Sequence, residues 1–463
     1  MRHAGLAAIL ALFAFLHIHR MGELSYTWDE AGDMGIVECL QRTHDPFACL
    51  DDPSQTRLPF YIHALLGHHY WISFAFSAIT LLAVYAYGRR EYGERTALLF
   101  AALYATSPAL LAAGRMVLTH SSIMFTCFTT LSFLAVMKDG REDGGDGLKP
   151  VLRLSSIVAC AVFTGLAAAS HILAVFNVFF LGALYWRFRK SWRDLLFLPI
   201  AAATFFAATI VYLSPPILKT LIDACLAGGG KYPFWNYLGL GTTRAPWFFP
   251  FVLLAIKVGP WLVFAFHRRA RWFLIALAIN LALKGTVFGY ETPHHQVQFY
   301  PLLYLFIAAG IARWWRRWAV AIVALLFAVQ LYDVWRFFPN YLFYGVQYGE
   351  RFIGEFYGPA VLHAQGREKV WQVIEAIRQR DPEAKILVAD NNMFDALGPS
   401  FVPFTKRDPK VRYRYALVDR LYATHFHMPE QDAYNALLAR EYKVAYETKF
   451  PTGVWAYRVM ERR

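Results

Sequence analysis

The chain has 463 residues, of which 57% are hydrophobic and only 17% are charged. A soluble globular domain carries about 25% charged residues, so this composition excludes an ordinary soluble protein and indicates a polytopic α-helical membrane protein. The formal net charge is +13, which favours either nucleic-acid binding or a membrane topology that keeps cations on one side.

About eleven apolar runs are long enough to cross a bilayer, which takes roughly 17–25 residues. They are predicted at 3–19, 70–88, 95–113, 117–137, 152–170, 171–187, 194–213, 247–266, 271–288, 297–312 and 317–337. The first run resembles a signal peptide in composition, but it lacks a convincing small-residue cleavage site. We therefore expect it to be retained as the first helix.

The connections between these runs predict the orientation of the chain. Every second connection is rich in Lys and Arg, namely 88–95, 138–153, 187–193, 267–271 and 312–318. The positive-inside rule places these connections and the N-terminus in the cytoplasm, so the net charge needs no nucleic-acid partner. The outward set comprises the loop 20–69, the turns near 115–120 and 170–171, the loop 214–246, the turn 289–295 and everything after about 338.

The last part of the chain contains no span and predicts a small α/β domain. An amphipathic helix is predicted at 366–382, a second helix at 429–442, strands at 384–390 and 413–419, and a hairpin around the turn 451–453. The predicted division is a transmembrane module over 1–338, whose outer loop 20–69 carries an acidic motif, and an extracytoplasmic domain over 339–463.

The acidic motif is "SYTWDEAGDMG", with carboxylates at Asp29, Glu30 and Asp33. On a helix, Asp29 and Asp33 share a face, and like charges at this spacing repel, so a purely structural helix gains nothing from them. Two interpretations stay open from these residues. The motif is either a solvated loop or the source of a general base or cation site.

Selected cations and histidines occupy the same outer side or the spans. Arg57 precedes a short apolar run that suits an interfacial helix, where it either grips an anionic headgroup or snorkels to water. Lys257 lies near the middle of a predicted span, where a charged group usually faces a cavity. The other candidates at outer junctions are Arg115, His120, His171, Glu291, His294 and His295.

Two further chemistries are compatible with these residues. A divalent metal ion held by Glu291 and the neighbouring histidines is possible, although the spacing "ETPHH" defines no coordination geometry. Cys39 and Cys49 share the first outer loop, where they form a disulfide in an oxidising compartment or remain two free thiols.

An ordered set of motifs resembles a known family. In chain order these are Trp-Asp-Glu at 28–30, Arg-Leu-Pro at 57–59, the turn 115–120, "APWFFPFVLLAIKVGPW", "HHQVQFYPLLYLFIAAG" and "FFPNYLFYG". Together they resemble the GT-C glycosyltransferases of the protein O-mannosyltransferase and aminoarabinose-transferase superfamily. The resemblance covers nearly the whole chain at the level of layout, whereas no single motif is specific.

The resemblance implies a GT-C-like helical bundle, with its N-terminus inside and its C-terminal domain outside a bacterial-type inner membrane. It implies transfer of a sugar from a polyprenyl-phosphate donor to a glycan, lipid or protein acceptor on the outer face. Asp29 then corresponds to the catalytic carboxylate, with Glu30 alongside, and Arg57 to the position that holds the donor phosphate. Family members often carry a second acid where this chain has His120, and Glu291, Asp33 or Asp51 could compensate.

The predicted mechanism uses Arg57, Arg115 and Lys257 to neutralise the donor phosphate and Asp29 to accept the acceptor's proton. Attack opposite the phosphate would invert the anomeric centre, and the sequence requires no cofactor. The predicted partners are the lipid-linked donor, the acceptor and membrane lipids, and no nucleic acid. The main alternative is a transporter or flippase for a lipid-linked or anionic substrate. A metallohydrolase without an HExxH motif and a non-catalytic scaffold are weaker rivals.

Overall fold

The structure is a computed structural model of the full chain. It describes residues 2–19, 28–47, 56–67, 70–115, 123–139, 152–171, 174, 177–185, 188, 191–227, 247–287, 293–314, 317–337, 367–389, 400–419, 429–449 and 455–463.

The first 337 residues are helical wherever the structure describes them as regular. The helices are α1 Arg2–Ile18, α2 Trp28–Thr43, α3 Leu58–Leu66, α4 Tyr70–Tyr92, α5 Glu94–Ala105, α6 Pro108–Arg115, α7 Ile123–Asp139, α8 Leu154–Ser170, α9 Asn177–Tyr185, α10 Phe197–Ala208, α11 Pro215–Ala227, α12 Phe249–Val258, α13 Arg271–Val287, α14 Tyr300–Arg313 and α15 Arg317–Phe337. Short 3-10 helices cover Trp192–Leu196, Ile210–Leu213, Gly259–Ala265, Arg268–Ala270 and Pro293–Phe299.

Judged by length and composition, one described helix, α4, is long and apolar enough to cross a membrane. The pair α5 and α6 would be a second such element if the two helices form one bent span. Shorter apolar helices occur at Ala4–Ile18, Leu154–Ser170 and Val320–Tyr332. The predicted number of spans and their orientation therefore stay predictions.

The span predicted at 95–113 is not one straight helix, because α5 and α6 meet at an angle of 62°. Pro108 has no N–H to donate and disfavours helical geometry at the residue before it, which breaks the helix there. The Gln330 amide of α15 fills the break, donating to Leu103 O at 3.3 Å and to Thr106 Oγ1 at 2.7 Å. Its carbonyl oxygen accepts from Trp261 Nε1 at 3.0 Å, so these bonds join the bend to two distant elements.

The span predicted at 247–266 is also divided. Helix α12 ends at Val258, and the chain continues as the 3-10 helix Gly259–Ala265. Gly259 adopts a φ of 59°, which the absence of a side chain permits. The 3-10 helix approaches α14 so closely that a Cβ at Gly310 would lie 1.8 Å from Phe264 O.

The centre of the helical part is α14. Its residues from Tyr300 to Ala308 are all buried, as is expected of a helix that is apolar on every side. It contacts α4, α5 and the 3-10 helices Gly259–Ala265 and Pro293–Phe299. The main apolar core therefore forms around α14, and the loops that carry the candidate site residues lie at the ends of the surrounding helices.

The C-terminal part contains a five-stranded mixed sheet in the order β2-β1-β3-β5-β4. Its elements are α16 Arg367–Arg380, β1 Ile386–Val388, β2 Phe401–Pro403, β3 Tyr415–Asp419, α17 Pro429–Glu441, β4 Tyr442–Lys449 and β5 Trp455–Arg462. Strand β1 pairs in parallel with β2 and β3, and β5 pairs antiparallel with β3 and β4. All of these elements except β2 are predicted from the sequence.

Alternation along the strands determines which helix covers which face. Ile386 and Val388 of β1 pack with α16, whereas Leu387 packs with α17. The result is a sheet between two helices, a stable layered arrangement. That this unit is a separate extracytoplasmic domain stays a prediction.

Candidate functional site

The acidic motif lies on a helix rather than in an irregular loop. Helix α2 begins at Trp28, so Asp29 and Glu30 fall in its first turn, where the helix dipole favours negative charge. The structure describes the backbone at Asp29, Glu30 and Asp33 but not their side chains. Further along, α2 packs on α3 through a cluster of Ile36, Val37, Leu40 and Phe60.

Arg57 immediately precedes α3 and is only 1% exposed. Its guanidinium carbon lies 5.6 Å from the centre of the Phe60 ring, the same ring that packs against α2. A snorkelling side chain keeps its charged head in water, so this burial disfavours the snorkelling interpretation. The structure thus places a buried cation at the start of the helix that supports the acidic helix.

Tyr61 adds a hydroxyl close to Arg57. It donates a hydrogen bond to Pro46 O at 3.1 Å, which joins α3 to the chain that follows α2. Burial raises the pKa of Tyr61 to about 12, with Asp45 adding to the rise and Arg57 opposing it. Tyr61 is therefore a neutral hydroxyl at physiological pH, and the sequence analysis did not single it out.

Arg115 ends α6 and is 3% exposed. Its Nη1 donates to Leu16 O at 2.5 Å and to His19 O at 3.2 Å. These carbonyls belong to the C-terminal end of α1, where a cation complements both the unpaired acceptors and the helix dipole. The structure thus shows Arg115 holding the end of α1, from which the chain leads to α2.

A buried polar group that the sequence analysis missed supports this contact. The His17 ring, fully buried, bonds to Phe13 O at 2.9 Å through Nδ1 and lies 3.4 Å from Ser77 Oγ through Nε2. A Cβ at Gly114 would lie 2.5 Å from His17 Nε2. The missing side chain at Gly114 is what lets the end of α6 approach α1 this closely, but a single glycine in sequence carries no such signal.

His171 lies just after α8 and is 5% exposed. Its ring stacks on Phe125 near the start of α7, with centroids 5.0 Å apart. Close by in sequence, Asn177 Nδ2 donates to Thr129 Oγ1 at 3.1 Å and to Gln298 Oε1 at 3.0 Å. These contacts bring the end of α8 and the start of α9 against α7 and the 3-10 helix Pro293–Phe299.

The same 3-10 helix carries two other candidates. His294 and His295 lie in its first turn, although their side chains are outside the described residues. Gln296 Nε2 donates to Pro250 O at 2.8 Å, which fixes this segment to the start of α12. His120 and Glu291 lie wholly outside the described residues.

The described candidates therefore gather at one end of the bundle, the end predicted to face outward. The ends of α1, α6 and α8 meet the starts of α7 and of the 3-10 helix Pro293–Phe299 there, and α3 contacts both α2 and α8. The backbone of Lys257 lies deeper in the bundle. Its backbone lies seven residues beyond Pro250 on α12, about 10 Å further along the helix axis, and its side chain is not described.

Cysteine and metal chemistry are described only in part. Cys39 is disulfide-bonded, and because Cys49 lies outside the described residues, their pairing stays a prediction. Cys127 and Cys160 are buried free thiols. Among the residues whose side chains are described, which leave out Glu291, His294 and His295, no group of three His, Cys, Asp or Glu could hold a metal ion.

Comparison with known proteins defines the class of fold. No family model matches the sequence, and no curated protein matches it. Solved structures do match, and the chain has the fold of GT-C glycosyltransferases, so the predicted resemblance is confirmed at the level of fold. These neighbours are glycosyltransferases, the enzyme class predicted from the sequence.

The matching structures include ArnT from Cupriavidus metallidurans bound to undecaprenyl phosphate, with a TM-score of 0.54, 14% identity, and coverage of 98% of this chain and 97% of that chain. The apo state of the same protein matches with a TM-score of 0.54, 13% identity and the same coverage. The oligosaccharyltransferase of Archaeoglobus fulgidus in its apo form has a TM-score of 0.47 and 13% identity, covering 99% of this chain and 74% of that chain.

Proposed function

We propose that the protein is a membrane glycosyltransferase that moves a sugar from a polyprenyl-phosphate-linked donor to an acceptor on the periplasmic face. A shared fold does not by itself establish a function, so the proposal depends on the site. The observation that carries it is Arg57, a buried guanidinium at the start of α3, packed beside the helix that carries Asp29. One ArnT neighbour holds undecaprenyl phosphate, a ligand of the class that such a cation would bind.

Arg57 is suited to the phosphate of the donor. A guanidinium offers a planar fork of N–H donors that matches two phosphate oxygens at once. Burial lowers the local dielectric and strengthens this attraction, and the start of α3 contributes the positive end of a helix dipole. In the proposed reaction, Arg57 stabilises the charge that develops on the departing polyprenyl phosphate.

The spacing of residues on α2 favours Asp29 over Glu30 as the base. Positions 29, 33, 36 and 40 fall within about 60° of one another on one face of an α-helix. Of the α2 residues that pack towards α3, Ile36 and Leu40 lie on this face and Val37 lies at its edge. Position 30 lies about 100° further round the helix. Asp29 and Asp33 thus lie on the face of α2 that packs towards α3, the helix that Arg57 precedes, and Asp29 is the one in the first turn.

In the proposed step, the acceptor hydroxyl or amine attacks the anomeric carbon of the sugar while Asp29 accepts its proton. The bond between the anomeric carbon and the phosphate oxygen breaks, and polyprenyl phosphate leaves with both electrons. Attack opposite the leaving group inverts the anomeric centre. We assign to Arg115 the role of holding the end of α1. Lys257 stays a second candidate for neutralising the donor phosphate, at a position deeper in the helical bundle.

The proposal is tested by transfer assays on the purified full chain in lipid nanodiscs. Labelled polyprenyl-phosphate-linked sugars are supplied with glycan, lipid and peptide acceptors, and products are identified by mass spectrometry. We expect Asp29→Asn to abolish transfer and Arg57→Ala to reduce it strongly, whereas the matched change Glu30→Gln retains measurable activity. Near-normal turnover by Asp29→Asn would disprove the assignment. Movement of substrate across sealed vesicles without covalent transfer would instead support a transporter.

A further inference from the structure

Four strands and both helices of the C-terminal sheet meet at one end of that sheet. Strands β1 and β3 start there, because Ile386 pairs with Tyr415 in parallel register. Strand β5 ends there, because Glu461 pairs with Tyr415, and β4 starts there, because Tyr442 pairs with Arg462. Helices α16 and α17 lead into β1 and β4, so they end at the same place. We call this region the basic end, and it comprises residues 380–385, 408–414, 440–443 and 461–463.

The basic end carries an excess of positive charge. Its four segments hold nine basic and five acidic side chains, a net side-chain charge of +4, and the structure describes every one of them. Glu461 accepts a hydrogen bond from Arg414 at 3.0 Å. Glu441 accepts from Arg440 at 2.7 Å and from Arg462 at 2.5 Å. The other six cations are exposed and form no ion pair with any residue that the structure describes, namely Arg380, Lys385, Lys410, Arg412, Lys443 and Arg463.

A turn over residues 408–411 presents an apolar side chain between two of these cations. Lys410 N donates to Asp408 Oδ1 at 2.8 Å, and Val411 N donates to Asp408 O at 3.1 Å. Asp408 N in turn donates to the Tyr413 hydroxyl at 3.0 Å, which fixes the turn to the chain entering β3. Val411 is 40% exposed and lies in sequence between Lys410 and Arg412. A soluble anion gains nothing from an exposed valine, whereas a membrane interface takes up the apolar side chain and attracts the cations.

The chain itself brings a membrane near this surface. Helix α15 contains one of the apolar stretches of the chain and is a predicted span, and residues 338–366 are all that separate it from α16. A domain tethered to a bilayer meets that bilayer at a high effective concentration. Weak attraction between exposed cations and lipid phosphates is then enough for docking, and no pocket is required.

We propose that the basic end docks on anionic phospholipid headgroups of the bilayer that holds the helical part, with Val411 entering the interfacial layer. The exposed cations attract the lipid phosphates at long range, and the valine adds a short-range apolar contact. Docking orients the C-terminal domain, because the carboxyl ends of β1 and β3 lie at the opposite end of the sheet and then face away from the bilayer. The surface includes no residue of the candidate glycosyltransferase site, so the inference goes beyond the proposed sugar transfer.

The test measures amide hydrogen exchange of the full-length protein in nanodiscs of phosphatidylcholine, with and without phosphatidylglycerol. Each basic side chain at an anionic membrane surface strengthens association by about fivefold. We therefore expect phosphatidylglycerol to slow exchange over residues 408–414 by about fivefold or more, and high salt to remove this protection. Equal exchange in the two kinds of nanodisc would overturn the proposal. Protection by soluble polyphosphate in phosphatidylcholine nanodiscs, without protection by phosphatidylglycerol, would also overturn it and indicate a soluble anion instead.

Two double variants of equal net charge locate the docking surface. Lys410→Glu with Arg412→Glu should abolish the protection and leave the thermal midpoint unchanged, because both side chains are exposed and unpaired among the described residues. The matched control, Lys406→Glu with Lys449→Glu, reverses two exposed cations beyond the far ends of β2 and β4 and should keep the protection. Equal loss in the two variants would refute the assignment to the basic end, whatever the outcome of the sugar-transfer assays.

Discussion

Replacing Arg115 tests whether it holds α1 or binds the donor phosphate. In Arg115→Ala, the carbonyls of Leu16 and His19 lose a buried donor that lies 2.5 and 3.2 Å away. An unsatisfied buried acceptor costs about 1–3 kcal/mol, so two acceptors give a loss of about 2–4 kcal/mol when water reaches part of the opened site. We expect the thermal midpoint of the protein in detergent to fall by several degrees even without donor.

The kinetic consequence follows from the position of this contact in the chain. Asp29 follows His19 by ten residues, so we expect release of this end of α1 to disorganise the segment that carries the proposed base. We expect kcat to fall more than KM for the donor rises, since a misplaced base weakens the transition state rather than donor binding. Arg115→Gln should recover part of the stability because its amide can still donate.

The assay measures thermal midpoints by fluorescence-detected gel filtration, together with initial transfer rates over a range of donor concentrations. Arg313→Ala is the matched control, because Arg313 is exposed at the end of α14 and its loss should change stability by less than about 0.5 kcal/mol. An Arg115→Ala protein with an unchanged midpoint and a raised donor KM would refute the structural role and favour phosphate binding.

Two further predictions concern stability. In Gly310→Ala, the new Cβ would lie 1.8 Å from Phe264 O, and restoring a 3.4 Å contact requires α14 to move by about 1.6 Å. We therefore expect a clearly lower thermal midpoint. The control Gly35→Ala places its Cβ where no atom lies within 4 Å, and it should raise the thermal midpoint slightly. In the C-terminal hairpin, the Arg458 hydrogen bond at 2.7 Å holds the pKa of Glu447 below its usual value of 4.5. This pair stabilises the fold above about pH 4.5, and its contribution is lost as the pH falls through the lowered pKa. The resulting pH dependence of stability is small because the pair is exposed. Glu447→Gln should abolish it in acid-unfolding curves.

The candidate site was only partly predictable from the sequence. Placing a charged residue in an apolar segment costs free energy, so the positions of charged residues indicate functional sites even without a structure. Arg57 was recognised in this way, and its burial at the start of α3 agrees with a role beyond surface solvation. Arg115 was recognised as unusual, but its hydrogen bonds to the end of α1 depend on a contact across 99 residues that no local pattern encodes.

The sequence by itself determined the apolar helical character of the chain, the secondary structure of most of the C-terminal sheet and the GT-C resemblance. These depend on composition, local periodicity and motif order, which are properties of neighbouring residues. Pro108 marks where the helix breaks, but tertiary structure alone decided the 62° angle of that bend and the approach of Gly114 to His17. Each of these depends on packing between elements far apart in the chain. Gln330, for example, can donate to Leu103 O and Thr106 Oγ1 at the bend only when the helices meet.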